Sequence, residues 1–423
     1  MRRTHAKLAL VRSAQFRAAK RRNFGARSAI VGLLAESPGA IEFGMSQTSL
    51  GLRAPSVFSL LREPEAVINF VASFAKTYAK RPISDVHLDL TGILDQDLGA
   101  HALLDKLVDE IEAACRLHGA RMGWKGNFPK DASQARFIRA MGIVRQLGLQ
   151  NWYLSPLEAS RVTTFERRCR HYIPAIRPEL KDDKSKAVEK FADHVNRCLR
   201  KEDKVLTPTA RHLLCSYIGE VIDNAENHVG LVDWSIQGYL DMGTAEPYCE
   251  IVVFNFGKSI AQTLQELPGN SYTSQQIAGY LAAHQTKNWF SPSWRVEDLM
   301  TLVALQGGVS SKNTSIDGTR GNGTADLIEF FQRMHDERIQ ATGKEVRMCI
   351  ISGDTRILFD GTYRMAANEQ GTRLLAFNRT NDLHLPPDSK YVMPLNNAHL
   401  PGTMIAIQFP IALPSLTATG EMK

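Results

Sequence analysis

One amphipathic helix constrains this chain more than any other feature. Between residues 213 and 225 apolar residues recur at helical intervals, so one face can pack into a core. The other face carries a carboxylate, two amides and an imidazole at spacings of three or four residues, namely Glu220, Asn224, Asn227 and His228. Residues at these spacings lie side by side on a helix. This second face is too polar for a core and indicates a binding surface.

Two of these residues have the chemistry of a metal and phosphate site. Magnesium prefers hard oxygen ligands, so the amide oxygen of Asn224 suits Mg²⁺. Glu220 lies one helical turn earlier and could orient or deprotonate an attacking water. The alternative interpretation is a helix whose polar face is only solvated.

Two glycine-containing segments follow this helix. An apolar run at residues 251–254 predicts a buried strand, and the sequence NFGKSI comes directly after it at residues 255–260. Further along, GTRGNGT at residues 318–324 precedes an apolar helical stretch. Gly321 and Gly323 allow positive backbone dihedrals and close approach, so main-chain amides just before that helix can point at phosphate oxygens.

The three segments together resemble the nucleotide-binding boxes of the GHKL superfamily. That superfamily includes gyrase, the heat-shock chaperone ATPases, the mismatch-repair ATPases and the histidine and anti-sigma-factor kinases. The polar helix resembles the N-box, residues 255–260 stand in the place of the Asp-x-Gly-x-Gly adenine box, and residues 318–324 in that of the second glycine box. The resemblance covers residues 205 to 412 and implies a Bergerat fold that binds ATP with Mg²⁺.

The resemblance also implies a role for each matching residue. Glu220 would be the catalytic base, and Asn224 would bind the metal ion. Lys312 ends a Ser-Ser-Lys sequence in the predicted lid, similar to the Thr-Ser-Lys of anti-sigma-factor kinases. The residues expected to contact the nucleotide or its phosphates are Asn224, Asn227, His228, Asn255, Gly257, Lys312, Arg320, Gly321, Gly323 and Thr324.

Two positions depart from the family pattern. Asn255 stands where the family has an aspartate that accepts a hydrogen bond from the adenine amino group, and Ser259 replaces the second glycine. Charged hydrogen bonds are worth about 1.5–3 kcal/mol against about 1 kcal/mol for neutral ones, so the bond to adenine should be weaker. Because an amide can also donate, a strict preference for adenine over guanine does not follow.

The N-terminal half predicts a smaller α/β unit at residues 56–155. A short strand at 86–90 precedes a helical pattern through residue 111, and a second strand and helix follow. The order resembles a STAS domain, the fold of anti-sigma-factor antagonists, which carries a phosphorylatable serine before its first long helix. The corresponding turn here, DQDLG at residues 95–99, has no hydroxyl, so phosphorylation there is not expected. Asp97 would be a helix cap or a fixed negative charge.

The expected fold class is therefore mixed α/β (α+β), with a STAS-like α/β unit followed by a GHKL two-layer α/β sandwich. The length of 423 residues has room for two or three domains. The predicted division is a basic tail at 1–55, the STAS-like domain at 56–155, a helical linker at 156–204, the GHKL domain at 205–415 and a tail at 416–423.

The net charge of +7 is concentrated at the N-terminus. Residues 1–27 hold nine basic and no acidic residues, which leaves 42 basic against 44 acidic residues elsewhere. A nucleic-acid partner is therefore not favoured, although the basic segment leaves open a contact with nucleic acid or lipid, a transit peptide or a disordered tail. No apolar run approaches the roughly 18–20 residues that cross a bilayer, so the expectation is a cytoplasmic protein.

The six cysteines show no paired spacing typical of a zinc site. They lie within apolar or helical stretches, so we expect reduced and largely buried thiols, as in an intracellular compartment.

The function implied by the resemblance is an ATP-binding regulatory protein. Slow Mg²⁺-dependent hydrolysis would be coupled to binding of a protein partner, and a second copy of the chain could be that partner. One alternative is a serine or histidine protein kinase of the anti-sigma-factor type; the phosphoacceptor motif of a sensor histidine kinase is missing. Another alternative is a scaffold that has lost the nucleotide, because Asn255 and Ser259 alter the adenine box.

Overall fold

The computed structural model describes residues 28–117, 119–149, 153–169, 184–200, 204–228, 231, 233–244, 247–285, 294–309, 323–341, 345–368, 371–410 and 417–418. The chain divides into two compact units, Met1–Ser155 with Asn397–His399, and Pro156–Asn396 with Leu400–Lys423. Helices and strands alternate along both units, which confirms the expected mixed α/β class.

The first unit is built around a four-stranded sheet. Its helices are α1 (Ala29–Ala35), α2 (Pro64–Lys80), α3 (Leu98–Leu117), α4 (Ala132–Met141) and α5 (Ile143–Gln146). Its strands are β1 (Met45–Ser46), β2 (Ser49–Arg53), β3 (Val57–Phe58), β4 (Asp85–Asp89), β5 (Asp95–Gln96) and β6 (Gly123–Asn127). The sheet order is β1-β2-β4-β6, with β2, β4 and β6 parallel. Parallel neighbours need long crossovers, and here α2 and α3 provide them.

Asp97 anchors the start of α3. Its side chain is 2% exposed and accepts hydrogen bonds from the amide of Ala100 at 2.8 Å, the hydroxyl of Ser59 at 2.6 Å and the amide of Leu61 at 2.9 Å. Burial raises the pKa of Asp97 above its ordinary value, against the lowering effect of these hydrogen bonds. Asp97 was expected to be a helix cap or a fixed negative charge. The hydrogen bond from Ala100 confirms the cap, and the carboxyl group is buried inside the unit.

The expected tail at 1–55 is wrong for its last part. Strand β2 pairs in parallel with β4, placing Leu52 opposite Leu88, and α1 buries Ile30, Val31 and Leu34. The sequence does not predict β2, because its alternation covers only five residues, SLGLR. Its glycine and its arginine also make the segment look like a polar loop. The basic segment 1–27 lies outside the described residues.

Among the described residues, the second unit contains the longest helix and the longest strands. Its helices are α6 (Pro156–Arg161), α7 (Lys184–Leu199), α8 (Pro208–His228), α9 (Ile260–Gln265), α10 (Tyr272–Gln285), α11 (Val296–Val303) and α12 (Gly323–Ala341). Its strands are β7 (Val162–Cys169), β8 (Lys204–Val205), β9 (Trp234–Asp241), β10 (Tyr248–Phe256), β11 (Arg347–Gly353), β12 (Thr355–Phe359), β13 (Ala366–Ala367), β14 (Arg373–Leu374), β15 (Val392–Pro394), β16 (Leu400–Pro410) and β17 (Thr417–Ala418).

Seven of these strands form one antiparallel sheet. Its order is β15-β12-β11-β16-β10-β9-β7. Alternate residues point to one face of a strand, and on this face Val253 lies between Ile236 and Ile405 in the two neighbouring strands. These side chains share a core with α7, α8 and α12. The helices therefore pack on this face of the sheet.

The expected linker at 156–204 is wrong, because it belongs to the second unit. Strand β7 extends the sheet at its edge, where Phe165 pairs opposite Gly238, and α7 packs on β7 and β9. The strand carries Glu166, Arg167 and Arg168, which obscured its β character in the sequence. Likewise, residues 417–418 of the expected C-terminal tail pair with β8.

The predicted lid segment, between the two glycine boxes, has a small core of its own. Its described parts contain α9, α10 and α11, which bury Leu264, Ile277 and Val303 together. At the end of α10, Nε2 of His284 donates to the carbonyl of Leu383 at 2.8 Å. The segment is thus a helical layer with its own hydrophobic contacts.

The cysteines are all free thiols, and five of the six are buried, as expected; Cys215 is half-buried. Within the described residues, no helix combines the length and hydrophobicity needed to cross a membrane.

Candidate functional site

A polar row crosses the sheet where β10 ends. Asn255 lies on the helix-covered face, because it follows Val253 by two residues, and it pairs with Trp234 in β9 and Thr403 in β16. Its side chain is only 6% exposed and makes no hydrogen bond within the described residues. An amide with an unused donor and acceptor at a mostly buried strand end is available to a ligand.

Two glycines shape the backbone at this strand end. Gly257 has φ 130° and donates its amide to the carbonyl of Pro401 at 3.2 Å. Gly402 has φ 128°, and a Cβ atom there would lie 2.0 Å from the main-chain oxygen of Asn255. Both dihedrals belong to the region that favours glycine. Gly257 was expected from the adenine box, whereas Gly402 comes from a strand about 145 residues later and was not.

Ser259 has a structural role at the start of α9. It is the N-cap of α9, where its hydroxyl accepts from the amide of Gln262 at 3.1 Å and the Gln262 side chain accepts from the Ser259 amide at 2.8 Å. This capping box satisfies amides that a helix start leaves free. The sequence carries the Ser-x-x-Gln signal of this cap at residues 259–262.

Two hydroxyl residues complete the polar row. Ser352 accepts a hydrogen bond from the amide of Ile260 at 2.8 Å, and its hydroxyl lies 2.8 Å from that of Thr403. The start of α9 is therefore fixed to β11, which lies two strands from β10 in the sheet. Neither Ser352 nor Thr403 was expected, because they become neighbours of the adenine-box segment only when β11 and β16 join the sheet.

Helix α8 carries the expected metal and catalytic residues. Leu214, Ile218 and Ile222 recur every four residues and are fully buried, which confirms the apolar face. The helix runs unbroken to residue 228, and it packs on β9 and β10 and beside α12. The side chains of the polar face lie outside the described residues, namely those of Glu220, Asn224, Asn227 and His228.

Helix α12 begins inside the second glycine box. Gly323 is its first residue and is buried, and Thr324 is half-buried. The first amides of a helix have no partner within the helix, so this end can bind an anion. Three expected phosphate contacts, Lys312, Arg320 and Gly321, lie outside the described residues.

Arg373 links the start of α12 to the chain that leads into the glycine box. Its guanidinium lies 2.5 Å from Asp326 and 3.4 Å from Glu329, in the first turns of the helix. Its carbonyl accepts from the amide of Gly307 at 2.9 Å, and a Cβ atom on Gly307 would lie 3.1 Å from the Arg373 Cβ. Burial lowers the pKa of Arg373, but the two carboxylates outweigh it and raise the pKa, so the side chain stays charged.

Two further hydrogen bonds hold residue 306, next to Gly307, to the residue that follows β14. The side chain of Gln306 donates to the carbonyl of Leu375 at 3.1 Å and accepts from its amide at 2.7 Å, as a paired strand would. Residues 306–307 and the first turns of α12 are therefore both fixed to residues 373–375. No sequence signal identified this hairpin as part of the site.

No family model, curated protein or solved structure matches this chain.

Proposed function

We propose that the second unit binds ATP with Mg²⁺ in a GHKL-type site and uses the bound state to regulate a protein partner. One observation carries this proposal. Asn255 is only 6% exposed, its amide makes no hydrogen bond among the described residues, and it lies at the glycine-shaped end of β10, on the sheet face where α8 and α12 pack side by side. In this arrangement a bound base and a helix N-terminus for phosphates would share the same face.

Asn255 would recognise the base. Its amide oxygen can accept a hydrogen bond from the adenine amino group, and Gly257 lets the base approach the backbone closely. Since a neutral acceptor binds less strongly than a carboxylate, adenine affinity should be modest. Hydroxyls of Ser352 and Thr403 lie in the same row and could bridge to the base through water.

The phosphates would lie between α8 and the start of α12. Asn224 would hold Mg²⁺ and Glu220 would activate water, with Asn227 and His228 on the same helix. Amides from Gly321 to Thr324 would face the phosphates, supported by Arg320 and by Lys312 of the lid. A magnesium ion held there would neutralise phosphate charge that the first turn of a helix compensates only in part.

The lid helices would link nucleotide state to a partner. They have their own small core, and residues 306–307, which follow them, are bonded to the hairpin that also anchors α12. If phosphate binding moves α12, the hairpin would therefore transmit this movement to the lid. The first unit, with its resemblance to a STAS domain, would supply a further interaction surface in a cytoplasmic regulator.

ATP titration with and without Mg²⁺, followed by measurement of released phosphate and of protein-bound phosphate, tests this function. We expect Mg²⁺-dependent binding that Asn224→Ala abolishes, and turnover that Glu220→Ala removes while binding remains. His212→Ala is a matched control, because this exposed residue lies two turns earlier on the same helix. Phosphoprotein in place of free phosphate would indicate a kinase, and no binding by the wild type would leave the scaffold function.

A further inference from the structure

Three potential metal ligands meet in the core of the second unit, away from the candidate nucleotide site. They are His194, Cys198 and Cys249, each fully buried, and their ligand atoms all lie within 4.8 Å of one another. Cys249 and Asn255 are six residues apart on β10, which corresponds to about 20 Å along an extended strand. The cluster therefore belongs to the opposite end of the sheet.

The fold brings the three together through one helix and two strands. His194 and Cys198 are four residues apart and share one face of α7, while Cys249 lies on the helix-covered face of β10. Between them, β9 carries Gly238, where a Cβ atom would lie 2.4 Å from Nε2 of His194. The imidazole thus lies directly on the strand backbone, in space that only glycine leaves open.

The separations suit a metal as well as a hydrogen bond. Nε2 of His194 lies 3.6 Å from Sγ of Cys198. Zinc bonds of about 2.3 Å to sulfur and about 2.0–2.1 Å to nitrogen, meeting at a tetrahedral angle, place these atoms about 3.6 Å apart. A thiol–imidazole hydrogen bond has a similar length, so the distance agrees with both.

The environment of His194 favours the metal. The contact with Cys198 is the one hydrogen bond of its imidazole among the described residues, and Nδ1 is buried with no partner there. The ring is flanked by Phe165 at 5.4 Å and Phe191 at 6.3 Å between centroids. A buried imidazole with one weak bond to sulfur is poorly compensated for its lost hydration, and a metal–nitrogen bond would supply that compensation.

The thiols are also suited to act as ligands. Metal binding requires deprotonated cysteines and releases their protons. Two thiolates and Zn²⁺ sum to zero charge, which avoids leaving a net charge in the core.

We propose that His194, Cys198 and Cys249 form a buried site for one thiophilic metal ion of the zinc class. The three protein ligands leave one coordination position for a small ligand. The ion would clasp α7 to β10 and so fix residues 184–199 to the central sheet. Its role is structural and does not depend on nucleotide binding.

Metal analysis of the full-length protein, purified under reducing conditions, tests the site directly. We expect one zinc ion per chain, and one Cd²⁺ bound by the metal-free protein with a cadmium–thiolate charge-transfer band and release of two protons. Mg²⁺, which prefers oxygen ligands, should give no such signal. Wild type that binds no stoichiometric Zn²⁺ or Cd²⁺ while all thiols remain reduced would overturn the proposal.

Variants identify the ligands. Cys198→Ala and Cys249→Ala should each abolish stoichiometric binding, whereas Cys349→Ala should keep it, because Cys349 is equally buried in the same sheet but lies outside the cluster. Retention of the metal by both ligand variants would contradict the assignment.

A measurement on the wild type covers the case in which these variants do not fold. In moderate urea, Zn²⁺ should slow alkylation of Cys198 and Cys249 but leave that of half-buried Cys215 unchanged. Unchanged rates at Cys198 and Cys249 would count against the site.

Discussion

The guanidinium of Arg373 lies 2.5 Å from the carboxylate of Asp326, in the first turn of α12. The main chain of Arg373 simultaneously holds Gly307, which lies just before the glycine-box segment. One residue of the β14 hairpin therefore fixes the chain at both sides of the segment proposed to hold the phosphates. The proposed site depends on this hairpin although the hairpin itself carries none of its expected ligands.

Arg373→Ala should lower ATP affinity about tenfold. A half-buried ion pair can contribute about 1.4 kcal/mol, and this free energy corresponds to a tenfold change in Kd. Arg364→Ala is the matched control, because Arg364 pairs with Asp336 further along the same helix. The side chains of this pair are 48% and 43% exposed, whereas those of Arg373 and Asp326 are 21% and 23% exposed. Exposed pairs contribute roughly 0–1 kcal/mol. Titration calorimetry measures both, and an equal effect of the two variants would contradict the special position of Arg373.

Asn255→Asp should raise the preference for adenine nucleotides. A carboxylate accepts more strongly than an amide, by about 1 kcal/mol, so ATP affinity should rise about fivefold. A carboxylate cannot donate to the guanine carbonyl, so GTP affinity should fall or stay unchanged. Competitive titration of ATP and GTP measures the ratio, and a ratio that does not rise would show that Asn255 does not contact the base.

Two helix-capping aspartates in the first unit should respond to pH in opposite directions. Hydrogen bonds from Ser133 and Gln134 lower the pKa of Asp131, whereas burial raises that of Asp97. Asp131 therefore contributes stability that is present above its unfolded pKa of 3.8 and is lost as pH falls through its folded pKa. For Asp97, the contribution is greatest below 3.8 and declines as pH rises through its raised folded pKa.

Urea unfolding of Asp131→Asn and Asp97→Asn from acidic to neutral pH measures this difference. Relative to the wild type, Asp131→Asn should become less stable as pH rises, and Asp97→Asn should become more stable. Parallel curves for the two variants would contradict the assigned shifts.

Alanine at two glycines of the second unit should change stability with opposite signs. Gly238→Ala brings a Cβ atom within 2.4 Å of His194 and should destabilise by about 1–3 kcal/mol, as overpacking does. Gly279→Ala, at an exposed position inside α10 with no atom within 4 Å, should stabilise by up to about 1 kcal/mol. Thermal unfolding measures both, and a neutral Gly238→Ala would show that α7 can move away from β9.

The sequence predicts elements whose pattern is long and local. The apolar run at 251–254 lies inside β10, the proline at 208 begins α8, and the glycine box runs directly into α12. Each of these follows from hydrophobic periodicity, or from a proline or glycine at the end of an element, within about 20 residues. Helix and strand signals act over this range. The adenine-box pattern also singled out Gly257, although its positive φ of 130° was not predicted.

Features that depend on pairing between distant segments could not be predicted in this way. Gly402 and Thr403 reach the end of β10 only through sheet register, and Arg373 reaches Asp326 only through a hairpin. His194 and Cys198 show helical spacing, but their third partner, Cys249, lies about 50 residues away on a strand. Nothing in the local sequence specifies such contacts.

Hydrogen–deuterium exchange with and without ATP and Mg²⁺ tests most directly whether one nucleotide joins the three segments. We predict slower exchange at once in the C-terminal half of α8, around residues 255–257 and in the first turns of α12, with no change in Mg²⁺ alone. Unchanged exchange in all three segments at saturating ATP, or protection confined to the first unit, would contradict a nucleotide site in the second unit.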